Sequence, residues 1–457
     1  MTDDLFSEFN PVSSKQWKQQ IQFDLKGADY NETLIWKSNE DISVKPFYHS
    51  EDLNGIPESF ITNATGVNIC QTIFVADVKR SNKKALQALQ SGADSIQFII
   101  PSPTISIIDL LKNIRIEETV LYFELQFLDS EFITKLTQAT LNNEIYIKSD
   151  IIGNLARSGN WFSTLQEDHN TLEAIIKTTN TLSIDTTLYQ NAGANIVQQL
   201  AYALAHANEY LNHFKNSIDS EKKQRLKVLF NLSVGSNYFF EIAKFRALRL
   251  LWNTLACEYH VNTDCHIFAT PTKRNKTLYD YNTNLLRSTT ECMSAMLGGA
   301  NCIHNLAYDA IFSKTNEFST RIARNQLLIL KHEAYLNKVN NPSDGAYYIE
   351  SLTHQLAEKA LELFKNIEAN GGFLKKLKEG TIQRKIKDAA TKEQQLFDSG
   401  ELVLLGTNSY TNASDKMKNN IELYPFVKTK QRKTLIEPII EKRLSEGIEQ
   451  NRLKHED

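Results

Sequence analysis

The chain has 457 residues and sets 51 Lys and Arg against 54 Asp and Glu, a formal net charge of −3. Hydrophobic residues make up 41% and charged residues 23%, the balance of an ordinary soluble globular protein. No apolar run approaches the roughly 20 residues a bilayer span needs, and the even charge offers no basic face for nucleic acid. The start, Met1-Thr-Asp-Asp, is acidic where a secretory leader is basic. Five cysteines (Cys70, Cys257, Cys265, Cys292 and Cys302) lack the CxxC spacing of a zinc site. They read as reduced thiols of a cytoplasmic protein, each a small buried hydrophobe.

The first 45 or so residues carry Trp17, Phe23 and Trp36 among polar neighbours, with no long periodic pattern. Large aromatics in an arm without a core of its own must be buried elsewhere, on the chain's own barrel or on a partner. From about residue 69 a rhythm begins. Expected strands are Thr72–Ala76, Ser95–Ile100, Thr119–Phe127, Glu144–Ser149, Leu182–Leu188, Lys227–Val234, Cys265–Thr270 and Asn301–Leu306. Helical stretches lie between them: Lys83–Gln90, Leu172–Thr179, Asn195–Tyr210, Tyr238–Cys257, Asn284–Leu297 and Thr320–Leu336. Their apolar residues recur at three and four, as a face docked on a sheet requires. Eight strands in one alternating run predict an α/β fold, a (β/α)8 TIM barrel; a doubly wound open sheet is the competing reading. After residue 340 a turn cluster, Asn341-Pro-Ser-Asp-Gly345, leads to helices over Leu352–Ile367 and Ile382–Leu396. The expected division is an N-terminal extended arm and pre-barrel segment (1–68), the barrel (69–340), and a C-terminal helical extension with a charged tail (341–457). The basic run Lys428–Lys433 reads as a solvated linker.

Several segments together resemble the barrel of the methylmalonyl-CoA mutase family. Trp36 with Val44-Lys-Pro-Phe-Tyr48 is similar to the family's pre-barrel segment. Ser183-Ile184, Gln190 and Ala192-Gly-Ala194 stand where the family reads S-I-S-G-Y-H-M-Q-E-A-G-A. Phe239–Arg246 with Arg249-Leu-Leu-Trp252 resembles F-x-E-I-A-K-x-R-A-x-R-x-L-W, Phe318–Asn325 resembles D-F-S-x-R-I-A-R-N, and Asp344–Glu350 resembles D-x-x-x-G-S-Y-Y-V-E. Apart from any family, Glu241, Lys244 and Arg246 read as helix ion pairs beside a stripe of Phe240, Ala243, Ala247 and Leu250. Arg321 and Arg324 read the same way. Gly193 and Gly345 mark positive φ or close backbone approach.

The resemblance implies a radical rearrangement of a CoA thioester, started by adenosylcobalamin, in a barrel that keeps a channel lined by small residues. Three parts of that machinery depart from the family's pattern here. The segment carrying a tyrosine and an arginine corresponds to Ser59–Asn68, which has neither. The histidine that bonds the thioester oxygen corresponds to Leu188. On the seventh strand, His and Gln are replaced by Phe268 and Thr270, with Arg274 beyond. Leu188, Phe268 and Arg274 predict a filled barrel. No flavodoxin-like cobalamin domain is expected, because the stretch after residue 410 is too short. Asp264-Cys265-His266-Ile-Phe-Ala269 resembles the cobalt-binding D-x-H-x-x-G run but falls on a barrel strand. His206 and His213 read as ordinary surface or core histidines, and His304 as a hydrogen-bonded histidine of the barrel wall.

The resemblance therefore implies the small subunit of a heterodimeric mutase, with a homologous catalytic large subunit as partner. Adenosylcobalamin is expected in that partner. No catalytic, cofactor-binding or metal-binding residue is expected in this chain, and a vestigial acyl-CoA contact stays open. Two alternatives remain. One is a catalytic acyl-CoA mutase barrel served by a cobalamin domain on a separate chain. The other is a barrel repurposed as a lyase or binding module, for which Asp77, Lys148, Asp150 and Asp185 lie near strand ends.

Overall fold

Eight short strands pair in parallel: β1 (Asn68–Phe74), β2 (Ser95–Ile100), β3 (Val120–Leu125), β4 (Ile145–Lys148), β5 (Thr181–Asp185), β6 (Lys227–Val234), β7 (Cys265–Pro271) and β8 (Cys302–His304). The computed structural model describes residues 8–53, 66–140, 143, 145–428 and 432–456. Every consecutive pair of strands except β4 and β5 is laddered, and β8 returns to β1 with Cys302 opposite Asn68. That return decides between the two architectures. A doubly wound sheet reverses its order at a switch point, whereas here the order runs on until first and last strands meet, as a barrel requires. The seam between β4 and β5 carries no backbone ladder among the described residues. There Asp150, just past β4, accepts the backbone N–H of Asp185 at 2.7 Å and ties the two strand ends.

The strands are buried on both faces, and alternation separates the two sides. Ile96, Phe98, Leu121 and Phe123 face the helical layer, while Tyr122, Tyr146, Leu229 and Phe268 face the axis. The outer layer includes α1 (Val78–Gln90), α2 (Ser130–Ala139), α3 (Ile151–Ser158), α4 (Leu165–Thr179), α5 (Ile196–Phe214), α6 (Tyr238–Tyr259), α7 (Thr283–Leu297) and α8 (Glu317–His332). Their starts are written locally. Asp77 and Asp150 cap α1 and α3 through the N–H groups of Arg80 and Gly153, and Asn195 with Gln198 forms a capping box on α5.

Helix α6 fulfils the ion-pair expectation. Lys244 pairs with Glu241 at 2.5 Å, both buried, and Arg246 reaches Glu350 at 2.6 Å and also Asp344. Arg324 differs from its expected pairing: it donates to the Ser91 carbonyl and to Gln71, both at 3.1 Å. Gly193 has φ +100°, and a Cβ there would lie 2.5 Å from Ala390 Cβ; Gly345 has φ +77°. Four of the five cysteines are buried free thiols, but Cys257 is exposed, because it sits on the outer face of α6.

Beyond the barrel come α9 (Tyr347–Ala369), α10 (Phe373–Lys378), α11 (Thr381–Ser399) and α12 (Glu446–Lys454). The segment between α11 and α12 follows half of the rim at the strands' C-terminal ends. It donates to the carbonyls of Gly159, Ala156, Asn191 and Arg274, past β4, β5 and β7. Arg443 is buried in it, bonded to the Lys276 carbonyl and paired with Glu449 at 2.6 Å. Of the basic run, Lys428 is exposed and Arg432 donates to the Ser158 carbonyl; residues 429–431 lie outside the described residues. No helix among the described residues is long and apolar enough to cross a membrane.

Candidate functional site: the barrel interior

Two layers fill the axis. The inner layer is aromatic. Tyr122 stacks on Tyr146 with ring centroids 5.1 Å apart and meets Phe268 edge-on at 4.9 Å. His266 lies 4.3 Å from the Tyr146 ring, and its Nε2 is 2.8 Å from the Tyr122 hydroxyl. Leu229, Cys70 and Cys302 complete the cluster. Such offset and edge-to-face contacts pack as densely as any protein core and leave no room for a chain-like ligand.

Two residues further along the same strands the layer is polar. Lys148 on β4 rests its amine 3.2 Å from the Phe268 ring centroid and donates to Gln97 Oε1 at 2.8 Å. Gln97 in turn donates to Glu124 Oε2 at 2.6 Å. Asn231 on β6 donates to Ser183 Oγ at 3.0 Å, and His304 on β8 bonds the Cys70 carbonyl through Nδ1 at 3.3 Å. Burial pushes His304 down to about 4, so the ring is neutral at physiological pH. Burial likewise holds the Lys148 ammonium below the usual lysine range, with the Glu124 charge pulling the other way. Thr72, Glu124, Lys148, Thr270 and His304 are all partly exposed, so solvent reaches this layer from the mouth.

The expected filling is therefore present, but its makeup differs. Of the three named residues only Phe268 lies on the axis. Leu188 is buried in the layer between sheet and helices, because the chain leaves β5 at Asp185 and turns into a short helix over Thr187–Asn191. Arg274 belongs to the rim, held by Glu393 at 2.5 Å and the Lys442 carbonyl at 2.8 Å. Tyr122 and Tyr146, the largest fillers, were not anticipated. Of the four strand-end candidates, Asp77 and Asp150 cap helices. Asp185 bonds Thr187 and Arg157. Lys148 alone points down the axis. Residues 59–65 of the segment corresponding to the family's tyrosine and arginine lie outside the described residues.

His206 is engaged internally, whereas His213 is exposed on α5. His206 is fully buried, with Nε2 3.0 Å from Asp150 and Nδ1 3.1 Å from the Tyr189 hydroxyl; His213 packs on His169 at 4.6 Å. His266 stands at the second residue of β7, towards the end of the barrel opposite the mouth. No group of three or more His, Cys, Asp or Glu among the described residues is placed to hold a metal ion. A separate cavity of about 1010 Å³ lies off the axis, between the rim loops after β5, β6 and β7 and helix α11; Trp36, Gln190, Arg274 and Lys385 line it.

A nearly closed parallel barrel with an aromatic inner layer and a polar mouth defines a (β/α)8-barrel protein whose axis is occupied by its own side chains. The family model described as methylmalonyl-CoA mutase matches residues 134–453. The chain is 32% identical over 456 residues to the methylmalonyl-CoA mutase small subunit of Porphyromonas gingivalis, covering 92% of this chain and 73% of that one. It is 29% identical over 461 residues to the methylmalonyl-CoA mutase of Rhizobium meliloti, covering 87% of this chain and 64% of that one. A third relative, the methylmalonyl-CoA mutase of Cereibacter sphaeroides, is 37% identical over 244 residues, with 52% and 34% covered. The chain thus spans about three quarters of the first relative and less than two thirds of the other two. It belongs to the methylmalonyl-CoA mutase family.

Proposed function

We propose that this chain is the small, non-catalytic subunit of a heterodimeric methylmalonyl-CoA mutase. It would support a homologous large subunit that converts methylmalonyl-CoA to succinyl-CoA. The observation that carries this reading is the stack of Tyr122, Tyr146 and Phe268 across the axis, where an active family member keeps a thioester channel. Two further features support it. Leu188, in place of the thioester-bonding histidine, offers no polar atom and is buried away from the axis. Of the relatives above, the one that covers the largest share of this chain, 92%, is a small subunit.

The residues present do not fit adenosylcobalamin either. His266, in the run that resembles a cobalt-binding motif, is held against Tyr122 and Tyr146 at the far end of its strand. We retain the division 1–68, 69–340 and 341–457, on the start of β1 at Asn68 and the end of α8 at His332. We place the protein in the cytoplasm on its free cysteines.

In the proposed complex the arm is the element that meets the large subunit. Trp17 is 52% and Phe23 80% exposed, a poor arrangement for large aromatics unless a second surface covers them. The reading is tested by assaying the purified chain with methylmalonyl-CoA, adenosylcobalamin and a free-standing cobalamin domain. No succinyl-CoA is expected; turnover would overturn the reading and make this barrel catalytic.

A further inference from the structure

We propose that Lys148 is a carbonyl-reactive amine, placed in the barrel mouth to condense with a small aldehyde or ketone as an imine. This goes beyond the subunit reading and stands or falls apart from it.

The placement carries the inference. Lys148 is the last residue of β4 and points inward at the C-terminal end of the barrel, the end where barrel side chains meet ligands. Its neighbours hold the amine without neutralising it. The hydrogen-bond partner is an amide oxygen, Gln97 Oε1, and the surface beneath is the Phe268 ring. Glu124 stands directly opposite across the β3–β4 ladder, yet its carboxylate turns to Gln97 Nε2. The Phe268 ring and the nearby Glu124 charge favour the ammonium, while withdrawal from solvent works against it, and desolvation is what turns a lysine into a nucleophile. Burial favours the neutral amine here.

The other groups facing Lys148 complete a small polar chamber. Asp185 on β5 is engaged by Arg157, and His304 on β8 is neutral. The thiols of Cys70 and Cys302 lie in the layer below. Two acceptor-capable atoms of this layer have no hydrogen-bond partner although they are buried: Thr72 Oγ1 and Asn231 Oδ1. Unsatisfied buried polar atoms are rare and call for a reason; a small ligand bearing a hydroxyl, which can donate to Asn231 Oδ1, supplies one.

The step balances. The Lys148 nitrogen lone pair forms the new C–N bond while the carbonyl π pair moves to oxygen. The two amine protons pass to that oxygen, which leaves as water, and a C=N bond remains. Glu124, across the ladder, is the positioning group for that proton transfer.

The test uses the full chain with glyoxylate as probe and borohydride to fix the imine, followed by peptide mapping. Lys148 is expected to label at least tenfold faster than exposed lysines such as Lys79 and Lys84. Glu124→Gln is expected to slow labelling of Lys148 about tenfold while the exposed lysines and the circular dichroism spectrum stay unchanged. Lys148→Arg, which keeps the charge, should remove the fast site. Labelling of Lys148 no faster than the exposed lysines in the folded protein would overturn the proposal. A fast Lys148 unaffected by Glu124→Gln would overturn the role given to Glu124.

Discussion

The two extensions that flank the barrel are built on opposite principles. The N-terminal arm has a well-capped helix over Ser14–Asp24 with no buried residue at all, and among the described residues Trp17 meets another ring only at Phe47, edge-on at 6.2 Å. The C-terminal stretch, irregular up to α12, is charged, yet it buries Arg443, Ser445, Glu446 and Glu449. Hydrophobicity alone would have assigned them the other way round. The difference teaches that charge buried with its partners completes this chain's own fold, whereas the exposed aromatics of the arm are what the proposed large subunit would cover.

The comparison can be broken first at the ion pair. Arg443→Met leaves Glu449 buried without its cation and should cost about 3–5 kcal/mol, read as a lower denaturant midpoint. A loss below about 1 kcal/mol would show that the rim segment is only draped on the barrel. The aromatic layer comes next: Phe268→Ala should cost about 3 kcal/mol or slightly more and still yield no turnover by this chain alone. Comparable in size is the titration of His304. Its folded value of about 4 lies below the ordinary 6.5, so the unfolded chain binds the proton more tightly. The stabilisation is complete above pH 6.5 and is lost as pH falls towards 4, amounting to about 3 kcal/mol at most. His304→Gln should flatten that part of the stability–pH curve. The smallest effect on stability belongs to the arm: Trp17→Ala should change the unfolding of the isolated chain by less than about 0.5 kcal/mol, while weakening association with the large subunit at least tenfold.

Much of the barrel was legible. Ser95–Ile100 and Lys227–Val234 agree with the observed strands at both ends, because turn-forming residues flank compact β-branched runs. The fifth and eighth strands were read too long. Asp185 bonds Thr187 and starts a helix, and Asn305 turns away to the Ala323 carbonyl of α8; such local side-chain competition is invisible to a propensity window. The site was legible only in part. Phe268 was found through resemblance, but Tyr122 and Tyr146 were missed, since strands apolar on both faces do not announce which face is the axis. Lys148 stood out by type, and only the register separated it from the helix-capping aspartates around it.

The most direct test of the central claim is sedimentation of this chain mixed with a cobalamin-binding large mutase subunit. A stable one-to-one complex is predicted, lost or weakened when Trp17 and Phe23 are both replaced by alanine. Separate boundaries for two unassociated chains at micromolar concentration would contradict the subunit reading.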